Sequence, residues 1–210
     1  MAELTKRKRD AEATRARILA VATEAFAAGG FDGARVDAIA RGAKVNINLV
    51  YYYFGSKEAL FVTVMERALA TLRERHRDME LRALPPREAM EALTRSIFRL
   101  YVEWPGLIGL LTSENMHEAR HIAQSDTIVR LYDPLLAFIE ETLARGAEEG
   151  VFRRGVDPVD LFVSIDAEGY FYVSNRHTLG LLLHEDLMEP ARLARREAHC
   201  VEVILRFLAA

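Results

Sequence analysis

Apolar residues recur at intervals of three and four along almost the whole chain, and no segment alternates apolar with polar residues as a half-buried strand does. A chain patterned this way buries one stripe of each helix against other helices, so the expected fold is all-α. From Thr14 to Gly29 the stripe is Ile18, Val21, Ala22, Ala25 and Phe26, with Thr14 as N-cap and Gly29-Gly30 as the stop. Val36, Ile39, Ala40 and Ala43 predict a short second helix, and a third runs from about Asn46 to Phe54, where Gly55 ends it. Ser56 then caps a fourth helix, Lys57 to around Leu81, with Glu58 inside its first turn. Further helices are predicted over 87–103, 106–122, 127–149, 158–183 and 190–208. The breakers are Pro85-Pro86, Trp104-Pro105-Gly106 and the stretch "EEGVFRRGVDP".

At 210 residues the chain can bury one large core or two small ones, and the expected division is 1–65 and 66–210. The net charge of -3 is unevenly spread. Residues 1–65 hold ten Lys/Arg against seven Asp/Glu, and residues 66–210 hold eighteen against twenty-four, so +3 stands beside -6. A basic head on an acidic body directs a polyanionic partner to the N-terminal end. Lys6, Arg7, Lys8 and Arg9 form a basic arm that can enter a minor groove or add phosphate attraction. Cys200 stands alone, so no intramolecular disulfide is possible, and its expected place is the core of a protein kept reduced. No apolar run reaches the length of a membrane span, and "MAELTKRKRD" leads into no apolar signal segment; a cytoplasmic location is expected.

Function concentrates in "NINLVYYYFGSKEAL". Two short helices joined by a tight turn make a helix-turn-helix, whose second helix can enter the DNA major groove. Val50 and Phe54, four apart, can face the core while Asn46, Ile47, Asn48 and Tyr52 face outward. Three consecutive tyrosines on so short a helix cannot all be buried. Exposed phenols suit a wet, anionic surface, where hydroxyls bond phosphate oxygens and ring edges meet thymine methyls. The structural alternative is that they brace this helix against the first and fourth.

The frame "RILAVATEAFAAGGFDGARVDAIARGAKVNINLVYYYFGSKEALF" resembles the N-terminal domain of TetR-family transcriptional regulators, from about Thr14 to Met65. Its most specific part is Tyr51-Tyr52-Tyr53-Phe54 followed by Ser56-Lys57-Glu58 and Leu60. The resemblance implies a homodimeric, ligand-responsive regulator, expected to be a repressor released from a palindromic operator by a small-molecule effector. It also implies base contacts at Asn46, Ile47, Asn48 and Tyr52, and phosphate contacts at Tyr51, Tyr53 and Lys57. Lys57 stands where the fourth helix's dipole also favours an anion. This chain departs from the family pattern with Arg35 for threonine, Lys44 for a turn glycine, Asn48 for glycine and Leu49 for threonine. Arg35 and Lys44 can add phosphate charge and Asn48 an amide that reads adenine, whereas Leu49 removes a hydroxyl. A lysine at position 44 makes the left-handed turn costly.

In TetR-like proteins the C-terminal helices bind the effector and make the dimer. Here "DLFVSIDAEGYFYVSNRHTLGLLL" is apolar nearly all round, and the last helix carries Leu193, Glu197, Cys200, Val201, Ile204, Leu205 and Leu208. A helix apolar on every side needs cover on every side, which predicts a four-helix interface made by the last two helices of each subunit. Polar groups set into these helices, Asp166, Glu168, Tyr170 and Asn175, are effector-pocket candidates, with Trp104, Met116, Arg120 and His121 from the middle helices. The alternative is that Asp166 or Glu168 pairs with an arginine or lies at the dimer seam. The "YFYVSNRHTL" region also resembles the subgroup that includes the pyrimidine-utilisation regulator.

One motif points elsewhere. "MHEARHI" contains H-E-x-x-H: on a helix His117 and His121 share a face that could hold zinc, Glu118 is a general base, and Glu141 offers a third ligand. A zinc peptidase also needs a strand to hold its substrate, and the sequence predicts none. The expectation is therefore no enzyme, no cofactor and no metal. The alternatives are a metal-responsive regulator using His117 and His121 or, further behind, a zinc-dependent hydrolase.

Overall fold

A computed structural model describes residues 2–77 and 81–210, with side chains for 9–71 and 81–210. The helices are α1 (Ala2–Gly33), α2 (Val36–Gly42), α3 (Ile47–Phe54), α4 (Lys57–Arg77), α5 (Pro86–Glu103), α6 (Gly106–Met116), α7 (Asp126–Val129), α8 (Asp133–Glu148), α9 (Pro158–Ser174), α10 (Arg176–Leu183) and α11 (Pro190–Leu208). Among the described residues there is no strand, only an isolated bridge between Phe152 and Ala209. The fold is all-α. Contacts separate two compact units, 1–69 with 106–130 and 70–105 with 131–210. This grouping differs from a linear cut at residue 65, because 106–130 packs with the N-terminal helices.

In the first unit, Ile18, Ala22 and Phe26 of α1 are buried as their spacing predicts. Phe26, Phe31 and Phe61 meet at ring distances of 5.0 to 6.4 Å. Burying each such ring stabilises by about 1.5–3 kcal/mol. Helix α6 closes on α1 so tightly that a Cβ on Gly109 would lie 2.1 Å from the Ala27 carbonyl oxygen. Ser113 Oγ of α6 accepts from the Phe31 backbone N–H at 2.7 Å, just beyond the kink at Gly30, where φ is +66°. Thr14 is not the N-cap. Helix α1 begins at Ala2, and the Thr14 hydroxyl donates to the Asp10 carbonyl within it. Residues 2–9 thus continue the helix, and the side chains of Lys6, Arg7 and Lys8 lie outside the described ones.

The expected helix 106–122 ends at Met116, after which Glu118 and Ala119 turn left-handed at φ 57° and 61°. The cause is Glu114. Its carboxylate accepts from the backbone N–H groups of His121 and Ile122, which a continuing helix would have given to backbone carbonyls.

In the second unit α5 packs against α8, α9 and α11. Met90, Leu93, Ile97 and Phe98 of α5 meet a core that includes Phe138, Ile139, Leu161, Ile165, Cys200, Ile204 and Leu208. The absent side chain of Gly169 lets α9 approach, since a Cβ there would lie 3.2 Å from Phe98 Cα. Two expected helices are broken. Helix α8 starts at Asp133 with Pro134 in its first turn, where a proline fits but could not continue a helix from α7, so 127–149 is not one helix. At Asn175 the side-chain amide donates to the Phe171 carbonyl while Arg176 donates to the Val173 carbonyl, ending α9 before α10 begins. The α11 stripe of Cys200, Val201, Ile204, Leu205 and Leu208 is buried by its own unit, and the uncovered apolar residues of α11 are Val203 and Phe207.

Candidate nucleic-acid interface

Helix α2 is anchored by Val36, Ile39 and Ala40, and α3 by Val50 and Phe54. The turn between them closes with two hydrogen bonds, Lys44 N–H to the Arg41 carbonyl and Val45 N–H to the Ala40 carbonyl, both 3.0 Å. This is the Schellman pattern, with Lys44 left-handed at φ 55° where glycine is usual. The lysine tolerates that conformation because its neighbours fix the turn. Ala43 is buried, and Arg17 Nε of α1 donates to the Ala43 carbonyl at 2.8 Å. Arg17 was not marked by the sequence; its role depends on a contact between residues 26 positions apart.

Asn46 caps α3, its Oδ1 accepting from the Asn48 backbone N–H at 2.8 Å, so its side-chain oxygen is engaged by the helix. Asn48, Tyr51 and Tyr52 are exposed, Ile47 and Tyr53 half-buried, and Tyr52 stands 80% in solvent. The Tyr52 and Tyr53 rings meet edge to face at 5.3 Å. Arg35 and Lys44 are exposed at the two ends of α2. Arg35 pairs with Asp37 at 3.1 Å, and with Arg41 it holds the Asp37 carboxyl below its usual range. Ser56 Oγ caps α4 by accepting from the Ala59 N–H at 3.1 Å. The Lys57 amine lies over the Phe31 ring at 4.8 Å and donates to the Asp32 carbonyl at 3.4 Å. One edge of the unit therefore carries α3's amide and phenol groups, with basic side chains at the helix ends beside it.

The effector candidates fall in both units. His121 is buried in the first, its Nδ1 2.7 Å from Glu114 Oε2 and its ring 4.3 Å from Phe31, while Nε2 has no partner among the described residues. Met116 and Arg120 are exposed near it in sequence. In the second unit Asp166 and Tyr170 come together around Tyr101, whose Oη donates to Asp166 Oδ1 at 2.8 Å and whose ring meets Tyr170 at 5.7 Å. Trp104 and Asn175 are half-buried at the C-terminal ends of α5 and α9. Tyr101, Tyr132 and Glu114 were not singled out by the sequence, since each reads there as one more helix-face residue.

The H-E-x-x-H geometry does not form. With α6 ended at Met116, His117 and His121 share no helical face, although their rings still meet edge to face at 5.2 Å, and Glu118 is exposed on a left-handed turn. His117 sits between the Ser113 carbonyl and Asp32, and Glu141 pairs with Arg82 in the other unit. Among the described residues no group of three His, Cys, Asp or Glu side chains is placed to hold a metal ion.

Comparison with known proteins agrees with the geometry. The model of the tetR family of bacterial regulatory proteins matches residues 18–64, and that of the Tetracyclin repressor-like C-terminal domain matches residues 86–204. The HTH-type transcriptional repressor NicS of Pseudomonas putida is 33% identical over 183 residues, 87% of this chain and 86% of its own. The HTH-type transcriptional regulator RutR of Escherichia coli K12 is 41% identical, but over 64 residues, 30% of each chain. The crystal structure of SCO4942 from Streptomyces coelicolor superimposes with a TM-score of 0.69 at 27% identity, over 93% of this chain and 98% of that one. The chain belongs to the tetR family of bacterial regulatory proteins, as a DNA-binding transcription regulator and not an enzyme.

Proposed function

We propose that this protein is a repressor that leaves a palindromic operator when a small-molecule effector binds. The observation that carries the reading is the division of α3 into two sides, Val50 and Phe54 buried on one and Asn48, Tyr51 and Tyr52 exposed on the other. Nothing in the core requires two phenols and an amide to stand in water, whereas a DNA groove uses all three. In this reading residues 1–65 bind DNA and 66–210 bind effector and partner, a division supported by the family matches over 18–64 and 86–204. Asn46, Ile47, Asn48 and Tyr52 meet bases; Arg35, Lys44, Tyr51, Tyr53 and Lys57 meet phosphates. The name of NicS supports repression as the sense of control.

The dimer uses α9, α10 and α11. Val159, Val163 and Phe171 of α9, Leu181 to Leu183 of α10, and Val203 and Phe207 of α11 are exposed in one subunit. A second copy covering them gives a two-fold particle, and a two-fold particle reads a palindrome. The effector contacts are drawn from Trp104, Met116, Arg120, His121, Asp166, Tyr170 and Asn175. The unpartnered Nε2 supports His121, because a ligand can supply the missing hydrogen bond. The effector favours a conformation whose recognition helices are wrongly spaced for successive major grooves, with α4 carrying the shift; its differential affinity sets the size of the response. A regulator that binds bacterial DNA works in the cytoplasm, and the family match supports that location; no helix among the described residues is long and apolar enough to cross a membrane.

The test is a titration of the purified protein against DNA from its own promoter region at several salt concentrations. Binding should weaken steeply with salt. Asn48→Ala should relax preference at one base pair, costing about 1–3 kcal/mol there. Equal affinity for promoter and random DNA sinks the reading.

A further inference from the structure

Among the described residues, the partly buried acids of the second unit are matched with arginines, with one exception. Glu197 receives Arg95 and Arg99, each at 2.7 Å, and Glu168 receives Arg196. Asp166 lies on α9 two positions before Glu168, yet among the described residues its carboxylate has no basic partner and one hydrogen bond, from Tyr101 Oη. Aromatic residues neighbour it instead, Phe162 and Tyr170 standing one turn before and one turn after it on α9. Tyr101 meets Tyr170 edge to face at 5.7 Å, and Tyr132 meets Phe162 at 5.3 Å. Burial pushes the Asp166 carboxyl up; burial first, then the nearby Asp166 charge, pushes the Tyr132 phenol up to about 12. Asp166, Tyr132, Phe162 and Tyr170 nevertheless all keep part of their surface open. The Asp166 side chain is thus half-buried and not sealed from solvent.

We propose that Asp166, held by the Tyr101 hydroxyl, and the half-buried rings of Tyr132, Phe162 and Tyr170 receive the cationic nitrogen of a small-molecule effector, an amine or a protonated nitrogen heterocycle. This deepens the effector-responsive reading above and rests on it. A partly buried carboxylate held by one neutral hydroxyl and no basic group is stabilised by taking a proton or meeting a cation. Ring faces carry negative charge density, so they add attraction for a cation and none for an anion. Carboxylate and rings together therefore select positive charge and reject a carboxylate or phosphate ligand.

The test uses the full-length protein as purified and calorimetric titration with three probes: benzyltrimethylammonium, its neutral isostere neopentylbenzene, and benzoate. The cation should bind at millimolar concentration or below, and more tightly than the other two. Asp166→Asn keeps the side chain's size and an acceptor for Tyr101, and should weaken the cation at least about tenfold while leaving the neutral isostere unchanged. Tyr132→Leu should weaken the cation and Tyr132→Phe should restore it, because phenylalanine retains the ring face. A circular-dichroism melt of each variant establishes that it is folded. The inference is overturned if the cation fails to bind, if either other probe matches it, or if folded Asp166→Asn binds the cation unchanged. Operator binding without probe is measured alongside. Its loss in the unmodified protein contradicts the repressor reading, whereas intact operator binding without cation preference contradicts this inference alone.

Discussion

The seven tyrosines of this chain occupy two settings that put one side chain to opposite uses. On α3, Tyr51 and Tyr52 are 43% and 80% exposed, and Tyr53 is half-buried, on a helix of eight residues anchored by Val50 and Phe54. In the second unit Tyr101 and Tyr172 are buried, and Tyr132 and Tyr170 half-buried. There the hydroxyls serve the fold: Tyr101 donates to Asp166, and Tyr172 donates to the Leu187 carbonyl at 2.8 Å. Burial is the first cause that raises the phenols of Tyr101, Tyr132 and Tyr172. An outward ring that adds little to the core points to a macromolecular partner, whereas a buried tyrosine whose hydroxyl is bonded within its own unit, such as Tyr172, serves the fold first.

The largest effect that separates the two groups is on stability. Tyr172→Ala removes a buried ring and its hydrogen bond, and should cost about 3–5 kcal/mol in urea unfolding. An unchanged midpoint would place Tyr172 with the surface group and break the distinction. Tyr52→Ala should do the reverse. Its stability should stay within about 0.5 kcal/mol, while operator affinity falls roughly tenfold in an electrophoretic or fluorescence titration. Loss of stability without loss of affinity would return the α3 tyrosines to a bracing role.

Lys44→Gly sharpens the comparison at the turn. Glycine relieves the left-handed conformation and should raise stability by about 1 kcal/mol, while the loss of one cation flattens the salt dependence of DNA binding by about one. Stabilisation with an unchanged slope would show that Lys44 meets no phosphate. The smallest effect is the pH dependence set by Asp166. Its carboxyl is raised in the folded state by burial, so the folded protein holds that proton more tightly than the unfolded chain. Stability from this group is therefore fully present below the ordinary carboxyl range and lost as pH rises through the raised value. Asp166→Asn should remove that part of the decline. Identical pH profiles for the two proteins would mean that the carboxyl is not raised.

The all-α fold and the division of α3 were legible because both rest on local spacing: Val50 and Phe54 lie one turn apart, and so do Ile18, Ala22 and Phe26. Helix ends were legible where proline or glycine stands at them, as at Pro190 and Gly55. They were misread where a polar side chain takes backbone groups from the helix, as Glu114 does beyond Met116 and Asn175 does after Ser174. No apolar pattern records those bonds. The same limit hid Arg17 at the Ala43 carbonyl and Tyr101 at Asp166, pairs joined across 26 and 65 positions. It also explains the apparent zinc motif, whose spacing has meaning on a helix that in fact ends one residue before His117.

Selection of genomic DNA fragments by the purified protein, followed by sequencing, tests most directly whether α3 reads a defined sequence. One enriched palindromic site should emerge, and selection with Asn48→Ala should recover the same half-site spacing with relaxed preference at one base pair of each half. A folded protein that enriches no sequence over random genomic fragments would contradict the account.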